Sequence, residues 1–79
     1  MSGWREEDKQ LVRDLELANF AEALAYVNQV GALAEDVNHH PDILIHGWNK
    51  VRLTLFTHSE GRITEADHDM ASKIDGLGR

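Results

Sequence analysis

Three histidines of this 79-residue chain lie where side chains could do chemistry. His39 and His40 are adjacent and directly precede Pro41, and His58 follows a run of apolar and β-branched residues. Imidazole titrates near neutral pH, so a group of histidines can donate one proton and accept another within a single turnover. These residue types therefore point to general acid–base chemistry.

Two carboxylates could support the histidines. Glu35 lies four residues before His39, a spacing that brings two side chains together on one helix face. Asp67 lies in the first turn of the last predicted helix, where an acid also stabilises the helix dipole without any other role. The histidines have simple explanations too, because His39 and His40 could cap the carbonyl groups of a helix C-terminus and His58 could be a solvated residue at a strand end.

A metal centre is disfavoured by the spacing of these side chains. Three histidines and a carboxylate are an acceptable zinc ligand set. However, two adjacent histidines rarely bind one ion together, and the chain has no H-x-x-x-H or H-E-x-x-H pattern. It also lacks a glycine-rich phosphate loop and a serine nucleophile elbow. We expect no metal ion.

Composition narrows the function classes further. The chain has 8 Lys and Arg against 14 Asp and Glu, a net charge of 8 − 14 = −6, which argues against binding the phosphate backbone of nucleic acids. The chain has no cysteine, which excludes disulfides and thiolate chemistry. No apolar run approaches the ~20 residues that cross a bilayer. The N-terminus has no secretory-signal layout, so we expect a cytoplasmic protein with no membrane contact.

Hydrophobic periodicity predicts the elements that position these residues. The predicted elements are, in order, a short strand at 4–5, a strand at 10–17, a helix from Asn19 to 37–38, strands at 43–48 and 51–58 joined by a tight turn at 49–50, and a helix that begins at 64–67. Amphipathic helices and half-buried strands must cover each other. We therefore predict one α+β domain over residues 1–79, a two-layer sandwich in which two helices pack on one face of a four-stranded antiparallel sheet, in the order β-β-α-β-β-α.

The combined pattern resembles the pterin-4a-carbinolamine dehydratases. It consists of the run Glu35-Asp36-Val37-Asn38-His39-His40-Pro41, then Trp48, then Thr57-His58, then Asp67. The flanking segments Phe20–Leu24, Trp48–Val51 and Leu53–Leu55 are also similar to that family, so the resemblance extends from Trp4 to about Ile74. Each element alone is weak, but the combined spacing is specific.

The resemblance implies the same α+β fold and a reaction. That reaction is the dehydration of 4a-hydroxytetrahydropterin to the quinonoid dihydropterin, without a metal or an organic cofactor. It implies that His39 and His58 transfer the protons and that His40 orients or binds the pterin. Glu35 would hold His39 in its tautomer, and Asp67 would contact His58 or cap its helix. Trp48 would line the substrate pocket, although core packing explains it equally well.

A second function class stays open, because some relatives on this fold are non-catalytic dimerisation or assembly factors. The exposed strand edges and helix surface of so small a domain favour self-association in either case. We expect a homodimer or a tetramer. Two departures from the family pattern are a long stretch from Asp42 to Gly47, where the glycine could mark a β-bulge, and a displaced glycine in the turn 59–62.

Overall fold

The computed structural model describes residues 3–78 and contains the predicted elements in the predicted order. The elements are β1 (Trp4–Glu7), β2 (Gln10–Glu16), α1 (Phe20–Val37), β3 (Asp42–His46), β4 (Lys50–Leu55) and α2 (Glu65–Asp75). All strand pairs are antiparallel, and the strand order in the sheet is β1-β2-β4-β3. The prediction of an α+β sandwich is confirmed.

The strands alternate between a helix-covered face and an open face. On the central strand β4, Val51, Leu53 and Leu55 are completely buried, while Arg52 and Thr54 between them are partly accessible. Side chains in a strand point alternately to opposite faces, so the buried set must face the helices. The hydrophobic core joins this face of the sheet to residues of both helices, among them Tyr26, Val30, Met70 and Ile74.

Local signals fix both ends of α1. The Asn19 side chain accepts a hydrogen bond from the backbone N–H of Glu22 at 2.9 Å and so caps the first turn. At the other end Asn38 has a left-handed backbone (φ +55), and its N–H bonds to the carbonyl of Ala34. Pro41 disfavours helical geometry at the residue before it. The long helix therefore ends immediately before the two adjacent histidines.

The two hairpins differ in detail from the prediction. β1 extends to Glu7, and its turn is formed by Asp8 and Lys9, both with positive φ. The second turn is 47–49 rather than 49–50, because His46 pairs with Lys50. Gly47 thus lies in the turn and is not a β-bulge.

Trp48 is displayed by this second turn and is not part of the core. Its φ is +62, and 60% of its surface is exposed, so the core-packing explanation is wrong. Asn49 connects this turn to the segment after β2. It is buried, and its side-chain N–H donates to the carbonyl of Leu17 at 2.9 Å. Among residues 3–78, neither helix has the length and apolar character needed to cross a membrane.

Candidate active site

The carboxylate of Asp67 is the centre of a hydrogen-bond cluster that joins three segments of the chain. Its Oδ1 lies 2.6 Å from Nε2 of His39, and its Oδ2 accepts from the Thr57 hydroxyl at 2.7 Å and from the Thr64 N–H at 2.9 Å. Asp67 is fully buried. One buried carboxylate therefore links the residue after α1, the segment after β4 and the start of α2.

The sequence produces this cluster through a helix cap. Thr64 is the N-cap of α2, and Asp67 at the third helical position reaches back to its N–H. Thr57 lies two residues after Leu55, so by the alternation of a strand its side chain points to the same helix-covered face as Leu53 and Leu55. Its hydroxyl also lies 2.8 Å from the hydroxyl of Thr64. The capping explanation for Asp67 is thus correct, and the same carboxylate contacts a histidine as well.

Hydrogen bonding decides the charge of Asp67. Burial alone would raise the pKa of this carboxyl, but the hydrogen bonds from His39, the Thr64 N–H and Thr57 outweigh burial and lower the pKa below its usual value of 3.8. At neutral pH Asp67 is therefore an ionised acceptor surrounded by donors.

An ionised Asp67 sets the tautomer of His39. A carboxylate can only accept, so Nε2 of His39 must carry the hydrogen that it donates to Asp67. When the ring is neutral, Nδ1 is then the unprotonated nitrogen. Within residues 3–78, Nδ1 of His39 makes no hydrogen bond. This nitrogen is consequently available to take a proton from a bound molecule.

Glu35 contacts His40 and not His39. Its Oε2 lies 2.5 Å from Nε2 of His40, on an exposed part of the surface. The expected pairing with His39 at four-residue spacing is wrong, because the helix stops at Val37 and the left-handed Asn38 turns the chain. The ring of His39 turns inward to Asp67, and the ring of His40 lies back over α1.

His58 stands apart from the adjacent pair. It is exposed, its ring packs edge-on against Phe56 at 5.1 Å between centroids, and Asp67 contacts Thr57 rather than His58. The expected Asp67–His58 contact is therefore absent. Successive side chains of a strand point to opposite faces, so if Thr57 points toward the helices, His58 points away from them. The connection from His58 to His39 runs through Thr57 and Asp67.

A depression of about 210 Å³ lies beside His39, between the end of α1 and α2. Three apolar side chains, Val37, Ala66 and Met70, line it together with His39. Two charged residues of α2, Asp69 and Lys73, complete the lining, and neither drew attention in the sequence. The only feature of the sequence that could have indicated these two residues is their four-residue spacing, which places them on one face of a helix.

The remaining sequence candidates lie elsewhere. Trp48 is at the opposite end of the β3–β4 hairpin from Pro41, beyond the five residues of β3. At about 3.3 Å per residue this separates Trp48 from the adjacent histidines by more than ~13 Å, so it does not line their pocket within one chain. The other two histidines, His46 and His68, are exposed. Within residues 3–78, His, Asp and Glu form no group that could hold a metal ion.

Comparison with known families identifies the group to which this arrangement belongs. The family model described as "Pterin 4 alpha carbinolamine dehydratase" matches residues 1–77. The chain belongs to this family. Members of the dehydratase family are hydro-lyases, and the match includes every residue of the Asp67 cluster.

Individual relatives in the dehydratase family agree with this assignment. A protein of Rubrobacter xylanophilus, provisionally named a pterin-4-alpha-carbinolamine dehydratase, is 46% identical over 78 residues, which are 98% of this chain and 72% of that protein. The crystal structure of a "transcriptional coactivator/pterin dehydratase" from Brucella melitensis has a TM-score of 0.90 and 32% identity, covering 100% of this chain and 85% of the other.

One structural neighbour has a different role. A pterin dehydratase-like protein identified as a RuBisCO assembly factor in the alpha-carboxysome has a TM-score of 0.79 and 28% identity, covering 95% of this chain and 88% of the other. The dehydratase fold is therefore shared by proteins of two function classes.

Proposed function

We propose that this chain dehydrates a 4a-hydroxytetrahydropterin to the quinonoid dihydropterin, with His39 and His58 as the proton-transfer pair. The C–O bond at the carbinolamine carbon breaks, a carbon–nitrogen double bond forms, and water leaves. One group must protonate the departing hydroxyl while another removes the ring N–H proton. No metal or organic cofactor takes part in this proposal.

The contact between His39 and Asp67 is the observation that carries the proposal. Because Nε2 of His39 donates to Asp67 at 2.6 Å, Nδ1 is left as a base on a ring that lines the depression. Asp67 also stabilises the imidazolium that forms when His39 takes the proton, as a buried carboxylate does for a catalytic histidine. We assign the base to His39 and the acid to His58.

His40 is assigned a binding role in the same proposal. Its Nε2 is held by Glu35, which restricts the ring to one orientation over the end of α1. A neutral ring held in this way presents Nδ1 as an acceptor for a donor of the pterin. The pair is exposed, so its contribution is to place the substrate rather than to stabilise the fold.

Single alanine variants of the histidines test these roles. The 4a-hydroxypterin is supplied enzymatically, and formation of the quinonoid dihydropterin is followed. We expect His39→Ala and His58→Ala to lower kcat by about 10²–10⁴-fold, the usual contribution of acid–base catalysis. We expect His40→Ala to raise KM more than it lowers kcat, because it removes a binding group.

His68→Ala is the matched control, since His68 is an exposed histidine on α2 outside the site. It should retain wild-type kinetics. Wild-type protein that does not exceed the buffer rate would refute the enzyme proposal. Equal activity of wild type and all three site variants would instead refute the assignment of residues.

The alternative function is a non-catalytic dimerisation or assembly factor on the same fold. It is favoured by the structural neighbour with an assembly role and by the exposed Phe20, Leu24, Leu44 and Trp48. A folded wild-type protein without turnover would support this class. The His39–Asp67 arrangement favours the enzyme, because an assembly role requires no fixed histidine tautomer.

The proposal includes self-association into a homodimer or a tetramer. Strand β3 is an edge of the sheet, and its Leu44 is 53% exposed on the open face. Light scattering coupled to size-exclusion chromatography should give a mass of at least twice the 8.9 kDa of the chain. A monomer mass at all concentrations would contradict this part of the proposal.

A further inference from the structure

The two charged residues that line the depression beside His39 are both on α2 and lie four residues apart. Such a spacing places Cβ atoms about 5–6 Å apart and commonly allows an ion pair. Nevertheless, within residues 3–78 neither Asp69 nor Lys73 forms an ion pair or a side-chain hydrogen bond. The carboxylate of Asp69 and the ammonium group of Lys73 therefore both line the depression without forming an ion pair with each other.

The rest of the depression suits a flat ring. Val37, Ala66 and Met70 offer apolar contact, and the volume of about 210 Å³ limits the occupant to a small group. An apolar depression with a few convergent polar groups is the usual composition of a small-molecule site. His39 reaches the same depression, so its occupant would lie next to the proposed base.

The pyrimidine ring of a pterin presents a matching pattern of donors and acceptors. Its 2-amino group and N3–H are adjacent donors, and its 4-oxo group is the neighbouring acceptor. A carboxylate can accept from two adjacent N–H groups, and an ammonium group can donate to a carbonyl oxygen. The carbon that loses its hydroxyl is opposite the 2-amino carbon in the same six-membered ring, so recognition of this edge leaves the reacting carbon free.

We propose that Asp69 and Lys73 are the specificity-determining residues for the pyrimidine edge of the substrate, with Asp69 accepting from the 2-amino and N3–H groups and Lys73 donating to the 4-oxo group. This inference rests on the proposed dehydration. It adds a recognition role for two residues that are not hydrogen-bond partners of Asp67. It also predicts that the site selects substrates that carry a 2-amino-4-oxo pyrimidine.

Ligand discrimination tests the inference directly. Dissociation constants are measured for an oxidised pterin and for its 2-oxo analogue, which has an acceptor in place of the 2-amino donor. The wild type should prefer the pterin by about tenfold or more, because a site built for a donor rejects a ligand that lacks it. Asp69→Asn should bring the two dissociation constants within about twofold of each other, since the amide can donate to the 2-oxo group.

Lys73→Met and turnover kinetics complete the test. Lys73→Met should weaken both ligands by a similar factor, because both retain the 4-oxo group. In the dehydratase assay Asp69→Asn should raise KM about tenfold and leave kcat within about twofold, as expected for a group that holds the substrate without touching the reacting atoms.

Glu65→Gln is the control, because it removes one negative charge from an exposed residue in the first turn of the same helix that does not line the depression. It should keep the wild-type preference for the pterin. If Asp69→Asn keeps that preference too while the wild type is active, the recognition role is wrong and the proposed dehydration stands. If the wild type neither binds the pterin nor turns over substrate, both proposals are wrong.

Discussion

An Asp67→Asn variant is expected to lose about 10²–10⁴-fold in kcat and to remain folded. The amide has the same shape and can still accept from Thr57 and the Thr64 N–H through its oxygen, which now occupies the Oδ2 position. Its NH₂ group then faces Nε2 of His39 and must donate to it. His39 would carry its hydrogen on Nδ1 and could no longer act as the base. The assay of quinonoid dihydropterin formation measures this loss.

The pH dependence of folding provides an independent readout for the same variant. Since the pKa of Asp67 is lower in the folded chain than its usual value of 3.8, the carboxylate stabilises the fold fully above that value, and the stabilisation is lost as the pH falls through the folded-state pKa. Wild-type protein should therefore lose more stability than Asp67→Asn between pH 6 and pH 2, as followed by urea denaturation.

Among the described residues, Asp14 also has a lowered carboxyl pKa, and it contributes to the acid sensitivity of both proteins. The Arg52 side chain donates to Asp14 and lowers its pKa to about 2. Only the difference between wild type and variant therefore reports on Asp67. Equal acid sensitivity of the two proteins, together with an unchanged kcat, would contradict the role given to this carboxylate.

Most of the fold could be predicted because its signals are local. Apolar residues from Phe20 to Val37 recur at three- and four-residue steps, and Val30 and Ala34 of this stripe are buried, whereas Phe20 and Leu24 are exposed. The alternation of β4 allows only one face to be buried. The observed turn at 47–49 differs from the predicted turn at 49–50 because Trp48 adopts a left-handed backbone, which bulky residues seldom do. Sequence patterns cannot anticipate a rare conformation that is held by tertiary contacts such as those of Asn49.

The site was predicted by residue type but not by pairing. Glu35 contacts His40 instead of the expected His39. Asp67 caps its helix, which is one of its two expected roles, and it contacts His39 rather than His58. The four-residue rule assumes that the helix continues, and here it ends at Val37. A contact between residues 28 positions apart, such as His39 and Asp67, depends on how α1 and α2 dock and has no local signal.

A Leu53→Ala variant is expected to lose about 2–5 kcal/mol of unfolding free energy, as large-to-small changes in a core do. Leu53 is completely buried on the central strand β4, opposite Arg13 of β2 and Ile43 of β3. Neighbours on both sides and the helices above hold its surroundings in place, so the cavity cannot collapse. Small domains have little stability in reserve, so this loss is a large share of the total. Urea denaturation measures it as a lower midpoint with an unchanged slope.

Leu44→Ala removes the same side chain from the other face of the same hairpin. Leu44 pairs with Arg52 and is 53% exposed, so a monomer should lose less than about 1 kcal/mol. A larger loss that grows as the protein is diluted would mean that Leu44 is buried between copies, because dissociation then precedes unfolding. Equal and concentration-independent losses at Leu44 and Leu53 would instead contradict the division of the sheet into one covered face and one open face.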